Sequence, residues 1–504
     1  MTLSADPSKD RAGQIEEAGV EFIPEEARDS SPLNVFAVFL GANLSWTVAI
    51  YGWIAVGLGL DFWPAVLSST VGTLIGALFI MPVTLMGPRT GTNMTVSSGA
   101  HFGIRGRIVG SGLALVFALM FAALTVWTSG DAIVAASHRL FGTPEGNGAL
   151  AVSYAIVTIL MITAALYGHA TIVAMQKFCI PIALVIIIAG FFVYKGTFQF
   201  HQPHDDGFEY ALGSFWKTCI LSVVISIAGP ISYAPAVGDY TRRLSRRYSD
   251  GAVSGSVGLG LFVGIVLPVT FGCFTAMAFT NPTNSFLGDL VMEAPGWYVL
   301  PILVLAVLGG FGQGVLCIYS SGLDLESFFP RLRRLHTTAI AAASAVVLLY
   351  LGVFVVDAVQ SITDATVILN AVATPWVAVL VIGVLRRRRH LHSYDANDLQ
   401  AFAQGRRGGR YWFVGGWNIP AVVAWCVGSV FGVLSVHTST FQGPLSHLAN
   451  GVDLSVVGSG AIAAALYLGA LAIWPKSVET PELAHTGPSD AGLCPAAHMS
   501  TSAE

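Results

Sequence analysis

The sequence is poor in charge. Only 11% of its 504 residues are Asp, Glu, Lys or Arg, against roughly 25% in soluble domains. That shortage excludes a cytosolic enzyme and a disordered scaffold. A basic excess is lacking too: 25 Lys and Arg against 29 Asp and Glu leave a net charge of −4, with no positive field to hold nucleic-acid phosphates. Cysteine is scarce and unpatterned. Six are present, and Cys179, Cys219, Cys273, Cys317 and Cys426 stand inside apolar runs as small hydrophobes, without disulfide or metal-ligand spacing. No cleavable leader is visible, because the first 31 residues are polar and acidic, with Glu16, Glu17, Glu21, Glu25 and Glu26.

Apolar residues are abundant, at 54% of the chain with a mean hydropathy of +0.69. A helix needs about 20 apolar residues to cross a bilayer. Twelve such runs are predicted, near 34–58, 63–86, 108–138, 150–172, 178–196, 217–240, 252–280, 298–328, 336–357, 364–386, 417–437 and 455–475. The expected organisation is a polar tail over 1–31, an all-α transmembrane domain over 32–475, and a disordered polar tail over 476–504. With the N-terminus placed inside, 22 of the Lys and Arg residues fall on the inner side and only Arg139, Lys195 and Lys217 outside. By the positive-inside rule both termini are expected in the cytoplasm of a multi-pass protein embedded in a lipid bilayer.

Irregular backbone is tolerated inside a membrane only where protein or a cavity surrounds it. The first run carries Gly41, Asn43 and Ser45 near its middle, and the sixth reads Ala228-Gly229-Pro230-Ile231-Ser232-Tyr233-Ala234-Pro235. Two prolines remove two backbone donors, so a continuous helix is not expected there. Runs one and six are corresponding members of two five-helix halves, which enter the membrane from opposite sides because five is odd. Broken helices in matching places of inverted halves point to a secondary transporter's midplane site.

Residues 87–107 read Gly-Pro-Arg-Thr-Gly-Thr-Asn-Met-Thr-Val-Ser-Ser-Gly-Ala-His-Phe-Gly-Ile-Arg-Gly-Arg. Further along come Ser232-Tyr233-Ala234-Pro235 with Gly238-Asp239-Tyr240-Thr241-Arg242, then Tyr319-Ser320-Ser321-Gly322-Leu323-Asp324-Leu325, Thr374-Pro375-Trp376 and Gly415-Gly416-Trp417-Asn418. Taken in order over about residues 33–475, these stretches resemble the nucleobase–cation symporters, in their purine–cytosine permease branch. The resemblance implies a LeuT-type five-plus-five inverted repeat, two additional C-terminal helices, and planar heterocyclic substrates such as cytosine, purines, uracil, hydantoins or allantoin.

A flat, uncharged base needs aromatic faces to stack on and polar groups to read its edge, with stacking contributing about 1–3 kcal/mol per base. Trp127 and Asp131 stand four apart on one helical face. In the family this spacing resembles a stacking Trp followed by Gln, so Asp131 is a departure. It is expected close to the midplane, where a carboxyl either accepts from an exocyclic amine or carries the coupling ion; the alternative is a structural pair with a neighbouring helix. The family's second stacking aromatic, ten residues before Tyr240, is replaced by Pro230, which leaves Tyr233 to supply the other face. Ser232 is expected in an unwound stretch, faced by Gly41 and Asn43. Gln313, between Gly312 and Gly314, offers a carboxamide that could read a base or bond another helix.

Sodium-using members place hydroxyls on helix 8, but Leu308, Phe311 and Gly312 carry no side-chain oxygen, so a proton is favoured over sodium. No metal site and no cofactor is expected, and no catalytic cluster that would suggest a membrane enzyme. The expected function is inward secondary active transport of a nucleobase-like heterocycle, cytosine or a purine first. The alternatives are sodium-coupled transport of uracil, allantoin or a hydantoin, and a non-transporting membrane sensor. Oligomeric state is not legible.

Overall fold

Pro32 sits in the first turn of the first long helix, and the Ser31 hydroxyl caps that turn by accepting from the Asn34 N–H. Two residues past Asn43 a second hydroxyl, Ser45, accepts from the Val48 N–H and starts a new helix. The computed structural model therefore divides the first span into α1 (Pro32–Asn43) and α2 (Trp46–Gly57), bent by 56°. The structure describes residues 13, 19–202, 209–280, 285–329, 332, 334–355, 358–387, 394–401, 405–438 and 441–474. The tail expected over 476–504 lies outside them.

Helix α3 (Phe62–Ile80) leads through the short α4 (Met86–Thr90) and α5 (Met94–Phe102) to the long α6 (Ile108–Phe141). Helices α7 (Asn147–Leu166) and α8 (Gly168–Tyr194) close the first half. The second half opens on α9 (Phe215–Tyr233) and the short α10 (Val237–Thr241), followed by α11 (Asp250–Ala276) and the short α12 (Phe286–Met292). Its eighth span joins α13 (Gly296–Gly309) to α14 (Val315–Phe328) through a π turn over Gly310–Gly314. Then come α15 (Arg334–Val355), α16 (Ala358–Arg387), the short α17 (Ala396–Leu399), α18 (Ile419–Ser435) and α19 (Ser455–Ile473). No strand forms among the described residues, only isolated bridges such as Ser30 with Leu244.

Helix α3 packs on α9, and α1 and α2 pack on α11. Helix α6 lies against α13 and α14, while α18 and α19 group with α16 at the end of the chain. Apolar side chains left on the outside, such as Leu67, Val71, Leu74 and Leu78 of α3 or Val152, Ile156 and Ile159 of α7, suit a hydrocarbon surround. Among the described residues nine helical units, plus the bent α1–α2 pair as a tenth, are long and apolar enough to span. The runs expected at 336–357 and 417–437 contain only shorter apolar helices, His336–Leu348 and Ile419–Ser435, so the count of twelve is not reached on length alone.

The first span breaks at Leu44–Ser45, inside the stretch marked by Gly41, Asn43 and Ser45, because the Ser45 cap starts the new helix. Two other boundaries differ from expectation. The sixth keeps Pro230 inside α9 and gives way only over residues 234–236, where Ala234 and Ala236 N–H groups make tight bonds to Ile231 and Tyr233 carbonyls. Ser232 is thus helical, not unwound; a single proline in a helix's last turn is absorbed, whereas Pro235 adds a second missing donor. The fifth span starts at Gly168, not near 178, because Gly168 adopts φ +78°, a conformation that favours glycine. Residues 19–31, expected as free tail, are folded in part against the molecule: Val20, Ile23, Arg28 and Ser30 are buried.

Candidate functional site

The two broken spans face each other. Asn43, the last residue of α1, donates its Nδ2 to the Phe39 carbonyl at 2.7 Å and accepts on Oδ1 from the Tyr233 hydroxyl of α9 at 3.1 Å. The Phe39 and Tyr233 rings meet edge-on at 5.5 Å. At the head of α2, the Ser45 hydroxyl lies 3.5 Å from Oε1 of Gln313, in the π turn of the eighth span. A π turn is a local irregularity often found at functional sites, and here glycines make it possible. Cβ atoms at Gly309 and Gly312 would stand 2.9 Å from Ser45 Cβ and 3.0 Å from the Gly41 carbonyl, so larger residues would push the eighth span off the break in the first.

These groups line a narrow cavity at the two breaks. Asn43, Tyr51, Phe121, Ser226, Ser232, Tyr233 and Gln313 are in its wall. Pro230 has no N–H to give the Ser226 carbonyl, leaving an acceptor without its helical donor beside the cavity. A second narrow cavity adjoins it, sharing Phe121, Ser232, Tyr233 and Gln313 and reaching Phe117, Tyr240 and Ser320. The carboxamides in their walls are deeply set: Asn43 is 2% and Gln313 3% exposed.

Of the residues singled out in the sequence, Asn43, Ser232, Tyr233 and Gln313 come together around this space. The other three do not line it. Gly41 is turned to α8, where a Cβ would collide with Gln176 and Ile180. Asp131 accepts from the Tyr154 hydroxyl of α7 at 2.6 Å and is engaged between α6 and α7, and Trp127, one turn back on α6, is not in the cavity wall. Helix α6 runs from 108 to 141, and at about 1.5 Å per residue Asp131 stands roughly 15 Å from its C-terminal end.

Phe117 and Phe121 are the aromatics α6 presents to the cavities, their rings near-parallel with centroids 6.5 Å apart. Their four-residue spacing puts both on one helical face. Gln176, read from the sequence as part of a connection, is helical and donates Nε2 to the Gly312 carbonyl at 2.8 Å. No group of three metal-ligating side chains occurs among the described residues.

Residues 22–459 match a family model described as a permease for cytosine/purines, uracil, thiamine, allantoin. The chain is 24% identical over 473 residues to a Bacillus subtilis (strain 168) protein bearing the name purine-cytosine permease YxlA, with 90% of this chain and 95% of that one covered. Among solved structures, Mhp1, a nucleobase-cation-symport-1 family transporter, in a closed conformation with bromovinylhydantoin bound, superposes with a TM-score of 0.69 at 17% identity, covering 90% of this chain and 94% of that one. Its inward-facing form gives 0.67 at 17% identity, over 92% and 94% of the two chains. The fold is accordingly that of a LeuT-type inverted repeat, with α1–α2 and α9–α10 as its broken members.

Proposed function

Because the chain belongs to the family of permeases for cytosine/purines, uracil, thiamine and allantoin, and is thus a multi-pass membrane transporter of small heterocycles rather than an enzyme, we propose that it imports a nucleobase, cytosine or a purine, by proton symport. The observation that carries this reading is the convergence of two rings, Phe121 and Tyr233, and two carboxamides, Asn43 and Gln313, on one cavity at the breaks. The rings offer faces for stacking. The carboxamides each present a donor and an acceptor, the pattern needed to read the edge of a base. The 22-to-3 distribution of basic residues supports placing both termini in the cytoplasm.

A proton is favoured over sodium because Leu308, Phe311 and Gly312 bring no side-chain oxygen to the turn beside the first break. The Gly312 carbonyl is, moreover, already engaged by Gln176. Purified protein in liposomes, tested for radiolabelled cytosine accumulation under a pH gradient in sodium-free buffer, checks both halves. Competition by adenine, hypoxanthine, uracil, allantoin and a hydantoin ranks the ligands. Accumulation only under a sodium gradient overturns the proton; binding without movement of any of these compounds overturns transport in favour of a sensor.

A further inference from the structure

Beyond the substrate cavity, toward the face that carries the N-terminal segment, α10 and α14 meet. The Tyr240 hydroxyl reaches the Leu316 carbonyl at 2.9 Å and the Ser320 hydroxyl at 3.0 Å. Asp324 stands one turn after Ser320, on the same side of α14. It is 0% exposed, and neither of its carboxyl oxygens has a hydrogen-bond partner among the described residues. Asp239 of α10, adjacent to Tyr240 and equally buried, accepts from the Met94 N–H at 3.0 Å and lies near enough for its charge to act on Asp324.

Charged and titratable groups on the surrounding elements do not bond Asp324. Arg107, before α6, donates to the Ser327 carbonyl at 3.4 Å, and Arg242, after α10, to the Gly19 carbonyl at 2.7 Å. His169 of α8 packs its ring 6.4 Å from that of Tyr240, His101 of α5 bonds Tyr394, and His336 of α15 is exposed. None of them, nor Arg243 beside Arg242, donates to Asp324.

Two ionised carboxylates cannot both be held in such a place, where one of them has no donor and no cation bonded to it; carboxyls sharing a site share a proton. We propose that the Asp239–Asp324 pair is a proton-binding site on the far side of the substrate cavity, with the proton on Asp324. The second cavity runs from Gln313 and Ser232 to Tyr240 and Ser320, whose bonded hydroxyls lead from substrate to carboxyl. Binding forms one O–H bond on Asp324. Separation of α10 from α14 admits water, and the carboxyl then ionises and releases the proton on that side. The role in coupling rests on the symport reading above; the holding of a proton does not.

Two measurements separate these. Infrared difference spectra of the full-length protein without ligand report the protonated-carboxyl stretch, and liposome assays with radiolabelled cytosine report gradient-driven accumulation and counterflow. One proton per substrate drives accumulation of about tenfold per pH unit of gradient. Asp324→Asn is expected to lose the protonated-carboxyl band and to fall from that accumulation to simple equilibration while keeping counterflow, and Asp324→Glu to regain both. A band that persists in Asp324→Asn overturns the site. Accumulation driven by sodium alone, with the band still lost in Asp324→Asn, overturns the symport reading and supports the site. If Asp324→Asn does not elute as a monodisperse species, Asp239→Asn takes its place: removing the neighbouring charge is expected to move the titration of the band to lower pH, and an unmoved titration overturns the pairing.

Discussion

Phe121 borders both cavities, so its ring has more contact to lose than any side chain that borders only one. Stacking of about 1–3 kcal/mol predicts that Phe121→Ala weakens base binding by roughly 5- to 150-fold, read as the ligand concentration needed to raise the melting temperature. Asp131 and Tyr154 should behave otherwise. Their bond joins α6 to α7 away from the cavity, so Asp131→Asn and Tyr154→Phe are each expected to cost stability of about 1–3 kcal/mol, less than additively when combined, with half-saturation for uptake unchanged. A shifted half-saturation in Asp131→Asn would return that residue to the substrate site. The contrast shows what the sequence exposes. Asn43, Ser232 and Gln313 are polar in apolar runs and stand out on that ground alone, whichever way they face. Trp127 and Asp131 stand out equally, yet neither lines the cavity, and Asp131 bonds α7. Phe117 and Phe121 carry the aromatic surface of α6 but are phenylalanines among alanines and leucines, so only the packing of α6 against α9 and α14 distinguishes them.

At the scale of elements, the broken helices were legible and their exact break points were not. Glycine and proline report where a helix is weak, whereas the break falls where a cap or a tight turn gives the backbone other partners: Ser45 in the first span, Ala234 to Ala236 in the sixth. The fifth span was displaced for a related reason. Gln176 and Lys177 look like a connection, but Gln176 is needed inside the protein to hold the Gly312 carbonyl. The close approach of α1 to α8 makes a prediction. A methyl at Gly41 collides with Gln176, and overpacking of this kind costs about 1–3 kcal/mol. Gly41→Ala is expected to reduce uptake at unchanged membrane abundance, and Gly41→Ala with Gln176→Ala to recover packing, seen as a partial return of melting temperature.

At the scale of the molecule, the segment before α1 is tied across the face where α4, α5, α10 and α17 meet. Arg28 donates to the Ile23 and Pro88 carbonyls, the Ile23 N–H to the Gly91 carbonyl, and Gln400 to the Val20 carbonyl. Glu25 accepts from the Ser245 hydroxyl and the Arg246 N–H. Burial works to raise its pKa, but those bonds and the Arg28 and Arg246 charges outweigh it and hold the carboxyl below its ordinary value. The Glu25 contribution to this clasp is therefore complete above the usual carboxylate range and is lost as pH falls through the lowered value. Ser30 bridges Leu244, just after α10. Cysteines at both positions, oxidised to a disulfide, should arrest uptake, and a reductant should restore it; uninterrupted uptake by the cross-linked protein would show that the segment stays in place during transport. Nothing in the composition of residues 1–31 announced this attachment, because its bonds are mostly to backbone carbonyls, which every sequence possesses. The π turn of the eighth span has a more local consequence. It stores one residue more than a regular helix of equal length, so excising a single residue from Gly310–Gly314 would leave a plain helix of nearly the same length and turn. Tyr319, Ser320 and Asp324 would then keep their register with α10, and the deletion would alter only the wall that meets the break in the first span.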